Sequence, residues 1–164
     1  MTTHAHSIER AAFDVLARWT DEQGRDWHGE LSHGGRTPTG IARDLYGTKA
    51  PSGEQLDAVD QALAILGREG VALRLREAVD GRPAPPLYLA PSTTEEGVAF
   101  CEERVAHYER AAALWRRSPA GGAEAAAARA EREADEWRDQ ARRWREAEAV
   151  RTSLRETREL SLVA

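Results

Sequence analysis

Between Thr37 and Pro91 the chain writes out a short helix, a turn, a second helix and two short strands joined by a proline-rich tip, an order that few folds accommodate. Thr37 followed by Pro38 is an N-cap with proline at the first helical position, where the backbone N–H that proline lacks is not needed. Ile41, Ala42 and Leu45 then share one face until Gly47 ends the run. A second helix opens at Ser52 with Gln55 in capping-box spacing, and Leu56, Val59, Leu63 and Leu66 recur every three or four residues up to the Gly67 to Gly70 turn. Past Gly70, Val71, Leu73 and Leu75 alternate with Ala72, Arg74 and Arg76, the period of a half-buried strand. Asp80, Gly81, Arg82 and Pro83 are expected to form the turn, stiffened by the prolines through Pro86, and Leu87, Tyr88 and Leu89 supply the return, so that the tip projects. Upstream, a helix from Ser7 to about Trp19 places Ile8, Ala12, Val15, Leu16 and Trp19 on a broad apolar face.

The stretch Ile-Ala-Arg-Asp-Leu-Tyr-Gly from Ile41 to Gly47 and the stretch from Val59 to Val71, with Ala62, Leu63 and Leu66 ahead of Gly70, together resemble the winged helix-turn-helix superfamily. The first is similar to its second helix and the other to its third helix running into the wing. The resemblance covers about the first 91 residues and implies binding to double-stranded DNA. Under it, Arg36, Arg43 and Lys49 around the second helix and Arg74, Arg76 and Arg82 on the wing are the expected phosphate or minor-groove contacts, with Gln55 and Gln61 the neutral readers of bases. A winged helix followed by helices for dimerisation also resembles, loosely and by order alone, the PadR-type regulators.

From Thr93 onward the pattern changes. Val98, Cys101, Val105, Tyr108, Ala112 and Trp115 follow a heptad rhythm, Ser118 to Gly122 interrupt it, and Ala123, Ala127, Ala130, Ala134, Trp137, Ala141 and Trp144 resume it. Two helices should fold back on each other as an antiparallel coiled coil. Pairing outward from the turn sets Trp115 near Ala123 and Ala127, Tyr108 near Ala130, Val105 near Ala134, Cys101 near Trp137 and Val98 near Ala141, large against small. Cys101 is then a packing residue rather than a reactive thiol. The second arm runs on to about Arg158, overshooting the first by roughly 18 Å at 1.5 Å per residue. Ala147, Val150 and Leu154 make a drifting apolar stripe on that overhang, and Leu160, Leu162 and Val163 follow. Its cover is either the first helix of its own chain or the same segment of a second subunit; paired half-sites favour a homodimer, and Val98, Cys101, Val105, Tyr108, Trp115, Trp137, Trp144, Val150 and Leu154 are the expected dimer or hairpin packing residues.

The expected organisation is therefore mainly α with a small β-hairpin: a winged helix-turn-helix domain over 1–91 and a helical hairpin over 92–164 that serves dimerisation or binds a protein partner. With 164 residues and 41% hydrophobic content the chain can bury one compact core plus a charged appendage. It has no apolar run fit to span a bilayer and a polar start, which leads to the expectation of a cytoplasmic protein with no membrane contact. One cysteine excludes an internal disulfide. Charge opposes the DNA reading: residues 1–91 carry ten Lys and Arg against thirteen Asp and Glu, and Glu54, Asp57 and Asp60 sit where a recognition helix would meet phosphates. The competing reading is a winged helix that docks protein through this acidic helix. No catalytic constellation, metal site or cofactor is expected, since His4, His6, His28, His33 and His107 are scattered and Ser32, Ser52 and Ser118 lack a nucleophile's setting. Within Thr20 to Gly35, Trp27 and Leu31 are expected to cap the core.

Overall fold

Two bundles of apolar side chains share one wall, and the short strands form it. The computed structural model describes residues 2–31, 34–75, 78–79, 82–83 and 85–163, with side chains described over 8–31, 34–75 and 85–157. Helices α1 (Thr2–Glu22), α2 (Pro38–Tyr46) and α3 (Gly53–Arg68) lead into strands β1 (Leu73–Leu75), β2 (Ala78–Val79), β3 (Arg82–Pro83) and β4 (Leu87–Leu89). Helices α4 (Thr94–Arg117), α5 (Ala123–Glu146) and α6 (Glu148–Val163) complete the chain.

The local signals around α2 and α3 act as their chemistry requires. Thr37 accepts from the Gly40 N–H, and Gly47 closes α2 in the left-handed region at φ 63°. Ser52 and Gln55 form the reciprocal capping box at the start of α3. Buried Ala12, Phe13, Leu16 and Ala17 of α1 meet Ile41 and Ala42 of α2 and Val59, Leu63 and Leu66 of α3 in the first core. Helix α1 outruns the expected Ser7 to Trp19 because Thr20 is a buried joint: its hydroxyl donates to the Leu16 carbonyl at 2.8 Å and accepts from the Ala90 N–H at 3.1 Å.

Strands β1 and β4 pair antiparallel with Leu73 opposite Leu89, Arg74 opposite Tyr88 and Leu75 opposite Leu87. Arg36 adds a bridge on the far edge of β4, its N–H and C=O bonded to Tyr88 at 2.9 and 3.0 Å. Farther out, β2 and β3 pair Ala78 with Pro83 and Val79 with Arg82, so Arg82 and Pro83 are strand residues rather than turn residues. The expected turn positions Asp80 and Gly81 lie outside the described residues. Beneath β1 and β4, Leu73, Leu75 and Leu89 share the second core with Phe100, Cys101, Trp137, Ala141 and Trp144, so the base of the helical arm is welded to the strands.

Helices α4 and α5 pack antiparallel along their length. Ala123, Ala126, Ala127, Ala130 and Ala134 are buried, and Val98, Val105 and Tyr108 lie against the cluster containing Cys101, Trp137 and Ala141. Ion pairs Glu102 with Arg145, Glu109 with Arg138 and Arg116 with Glu131 flank the seam. Each is about half exposed, so solvent screening leaves each a minor contribution. Trp115, expected inside this seam, is 45% exposed.

The expected single second arm is two helices. The chain bends at Ala147 (φ −90°, ψ 8°), and α6 turns onto α1, with Ala147 and Leu154 against the first core. Arg155 donates to the Ala90 and Pro91 carbonyls at 3.0 and 3.1 Å and meets Asp21 at 3.3 Å. The overhang is thus covered within its own chain at these residues, whereas Val150 is 51% exposed. The side chains of Leu160, Leu162 and Val163 lie outside the described residues. Two glycines make the bend close-packed: a Cβ at Gly70 (φ 77°) would fall on the Arg143 carbonyl, and one at Gly97 would fall inside the Trp144 indole.

Candidate nucleic-acid interface

A surface that holds a duplex needs cations whose guanidinium or ammonium groups are free to leave the protein for phosphate. On α2 and in the turn after it, Arg43 and Lys49 meet that requirement, both being exposed. The turn itself is ordered by short-range bonds, from Thr48 N–H to the Arg43 carbonyl at 3.2 Å and from Ala50 N–H to the Thr48 hydroxyl at 3.2 Å.

Two of the expected contacts are engaged elsewhere, and a third is enclosed by the arm. Arg36 pairs with Asp44 at 3.2 Å, donates to the Gly40 carbonyl at 3.4 Å and lies over the Trp19 ring, so its head fastens α2 to the strand edge. Gln55 spends its side-chain carbonyl on the Ser52 N–H at 2.9 Å, the second half of the capping box. Arg74 is the third, a half-buried residue of β1. The Gln140 amide donates to its carbonyl at 2.9 Å and accepts from its N–H at 3.0 Å, so α5 covers the outer edge of β1 and encloses the Arg74 side chain in the groove between α3 and α5. Alternation along a strand assigns Arg74 to the outward face, but what lies beyond that face is decided by Gln140 of α5, 66 residues away. Arg76 lies outside the described residues, as does the side chain of Arg82.

The outward face of α3 is acidic. Glu54, Asp57, Asp60 and Gln61 are exposed, and partial burial, with Asp57 next to it, raises the Asp60 carboxyl above its usual value. Gln61 is therefore an exposed neutral side chain flanked by carboxylates.

No family model, curated protein or solved structure matches the chain. Among the described residues no group of three or more His, Cys, Asp or Glu is placed to hold a metal ion, and no helix is long and apolar enough to cross a membrane.

Elsewhere, two features escape a reading of periodicity. Trp27, expected to cap the core, is 89% exposed and stacks on His28 at 3.5 Å between ring centroids. The loop is pinned by Asp26, which accepts from the His28 and Glu30 N–H groups, and by an Arg25 to Leu31 bridge, so Leu31 turns to the second core and the indole turns out. Arg151 is 5% exposed, with its guanidinium carbon 3.4 Å from the Trp144 ring centroid. It donates to the carbonyls of Gly70 and Trp144 and to the Thr94 hydroxyl, tying the α3 exit, the end of α5 and the start of α4. Burial pushes this guanidinium down to about 10, which leaves it a cation at neutral pH. Cys101 is buried, and its thiol is pushed up to about 12 by the same desolvation, as suits a packing residue.

Proposed function

We propose that the chain is a winged-helix DNA-binding protein, a cytoplasmic transcriptional regulator or an accessory factor of a mobile element. On this reading Arg43 and Lys49, with Arg76 and Arg82 on the wing, hold the duplex by its phosphates, and α3 contributes little beyond Gln61. The observation that carries it is the pair of exposed cations on α2 and its following turn, beside a strand pair that continues outward through β2 and β3. Four phosphate contacts per chain imply that log K falls with log salt at a slope of about −3 to −4. The arm, with Leu114 and Trp115 exposed near its tip and Val150 on α6, would be the surface for a second copy or another protein.

A second reading, docking of a basic protein partner, is favoured by the acidic face of Glu54, Asp57 and Asp60. One triple variant separates the two: Glu54→Gln, Asp57→Asn and Asp60→Asn, assayed by fluorescence anisotropy with a labelled random duplex and, separately, a labelled arginine-rich peptide at low ionic strength. Relief of like-charge repulsion should tighten the duplex complex under the DNA reading. Duplex indifference in both proteins, with peptide binding present in the parent and lost in the variant, would replace it by the docking reading.

A further inference from the structure

Between the C-terminal half of α3, the outer edge of β1 and α5 lies a cavity of about 390 Å³, a size that suits a small molecule. Its walls are tied together by direct polar bonds. Gln140 of α5 clamps the Arg74 backbone twice, Arg143 donates to the Arg68 carbonyl at 3.3 Å, and Arg151 donates to the Gly70 carbonyl at 3.0 Å just beyond the end of α3. These bonds brace α3 and β1 against α5. Its floor is apolar, with Trp137 and Ala64 both lining it.

Charge is divided within this space. Asp139 and Arg143 pair with each other at 3.2 Å, and Asp139 is also held by Arg142, so neither contributes a free charge. Arg74 from β1 and Arg68 from α3 both line the cavity, and no ion pair holds either of them among the described residues. Glu136 lines the opposite side, from α5, next to Glu133, which is already engaged. A simple anion would be drawn to the two guanidinium groups and repelled by the Glu136 carboxylate, and a simple cation would meet the reverse. A molecule carrying both charges satisfies both sides, and the terminal nitrogens of a guanidinium hold a carboxylate by charge-assisted hydrogen bonds.

We propose that this cavity is a binding site for a small zwitterion of free amino-acid size, its carboxylate on Arg74 and Arg68, its ammonium toward Glu136 and its carbon skeleton on Trp137. Such a ligand would bridge α3 and the arm, and its binding is independent of whatever the chain holds on its other faces.

The test is an NMR titration of the full chain, following the Trp137 indole N–H and the Gln140 side-chain amide, with three probes of matched skeleton: L-leucine, 4-methylpentanoate and 3-methylbutylamine. L-leucine should shift both signals saturably, and each single-charge probe should bind weaker by about tenfold or more. Arg74→Gln, which leaves the Gln140 bonds to the backbone intact, and Ala64→Phe, which fills the space from a half-exposed helix position, should each abolish saturation while the rest of the spectrum stays folded. Absence of a saturable response to L-leucine, equal affinity for the single-charge probes, or an unchanged response in the two variants overturns the proposal.

Discussion

Replacing Arg151 by alanine probes the joint on which both cores depend. In the folded chain this guanidinium supplies donors to the Gly70 and Trp144 carbonyls and to the Thr94 hydroxyl, and it covers one face of the Trp144 indole. Removing it leaves two carbonyls short of a donor, at ~1–3 kcal/mol each, and forfeits a desolvated cation–π contact of ~2 kcal/mol. Against that loss stands relief from holding a buried guanidinium that is not ion-paired among the described residues, with only the nearby charge of Glu148 to offset a desolvation cost of several kcal/mol. The net loss should be about 3 kcal/mol. For a chain of this length that corresponds to a fall in Tm of roughly 6–12 °C. Urea unfolding followed by far-UV circular dichroism reads the free energy, and a thermal scan reads Tm. Arg142→Ala, at an exposed position of α5, is the control and should leave the urea midpoint unchanged. A loss below about 1 kcal/mol in Arg151→Ala would refute the idea that one side chain fastens three segments, as would an Arg151→Met variant more stable than the parent.

Other perturbations test neighbouring contacts. Gln140→Leu strands the Arg74 N–H and C=O at the edge of β1, so stability should fall by ~2 kcal/mol and hydrogen exchange at the Arg74 amide should accelerate. Arg25 donates to both Glu96 carboxylate oxygens at 2.6 and 2.8 Å and holds that carboxyl below its usual range. The native state then binds this proton less readily than the unfolded chain. Stability from the pair is therefore present above the unfolded value of ~4.3 and lost as pH falls through the folded one. Urea midpoints from about pH 6 down to about pH 3 should drop less steeply in Glu96→Gln than in the parent. Cys101 should resist maleimide in the native protein and react fully in urea; labelling under native conditions at neutral pH would contradict its packing role.

Local chemistry was legible from sequence where neighbours in the chain decide it. The Thr37 and Pro38 cap, the Ser52 and Gln55 box, the left-handed close at Gly47 and the break at Ser118 to Gly122 are each settled within a few residues. The pairing of Leu73 with Leu89 follows from alternation on both strands. What escaped the reading was set by partners distant in sequence. Trp27 and Leu31 share the spacing of a helical turn, but Asp26 folds the segment so that Leu31 enters the core and the indole does not. Arg151 reads as one more surface arginine until three segments present it with acceptors. The site residues divide in the same way. Arg43 and Lys49 are exposed as their positions suggest, while Arg36 and Arg74 are claimed by Asp44 and by the groove under α5.

The salt dependence of duplex binding addresses the proposed function most directly. Affinity of the full chain for a random duplex, measured over a series of salt concentrations, should fall with a log–log slope of about −3 to −4 per chain. The double variant Arg43→Ala, Lys49→Ala should flatten that slope by about two units. A protein that ignores every duplex at low ionic strength, or a slope that the double variant leaves unchanged, would contradict the account.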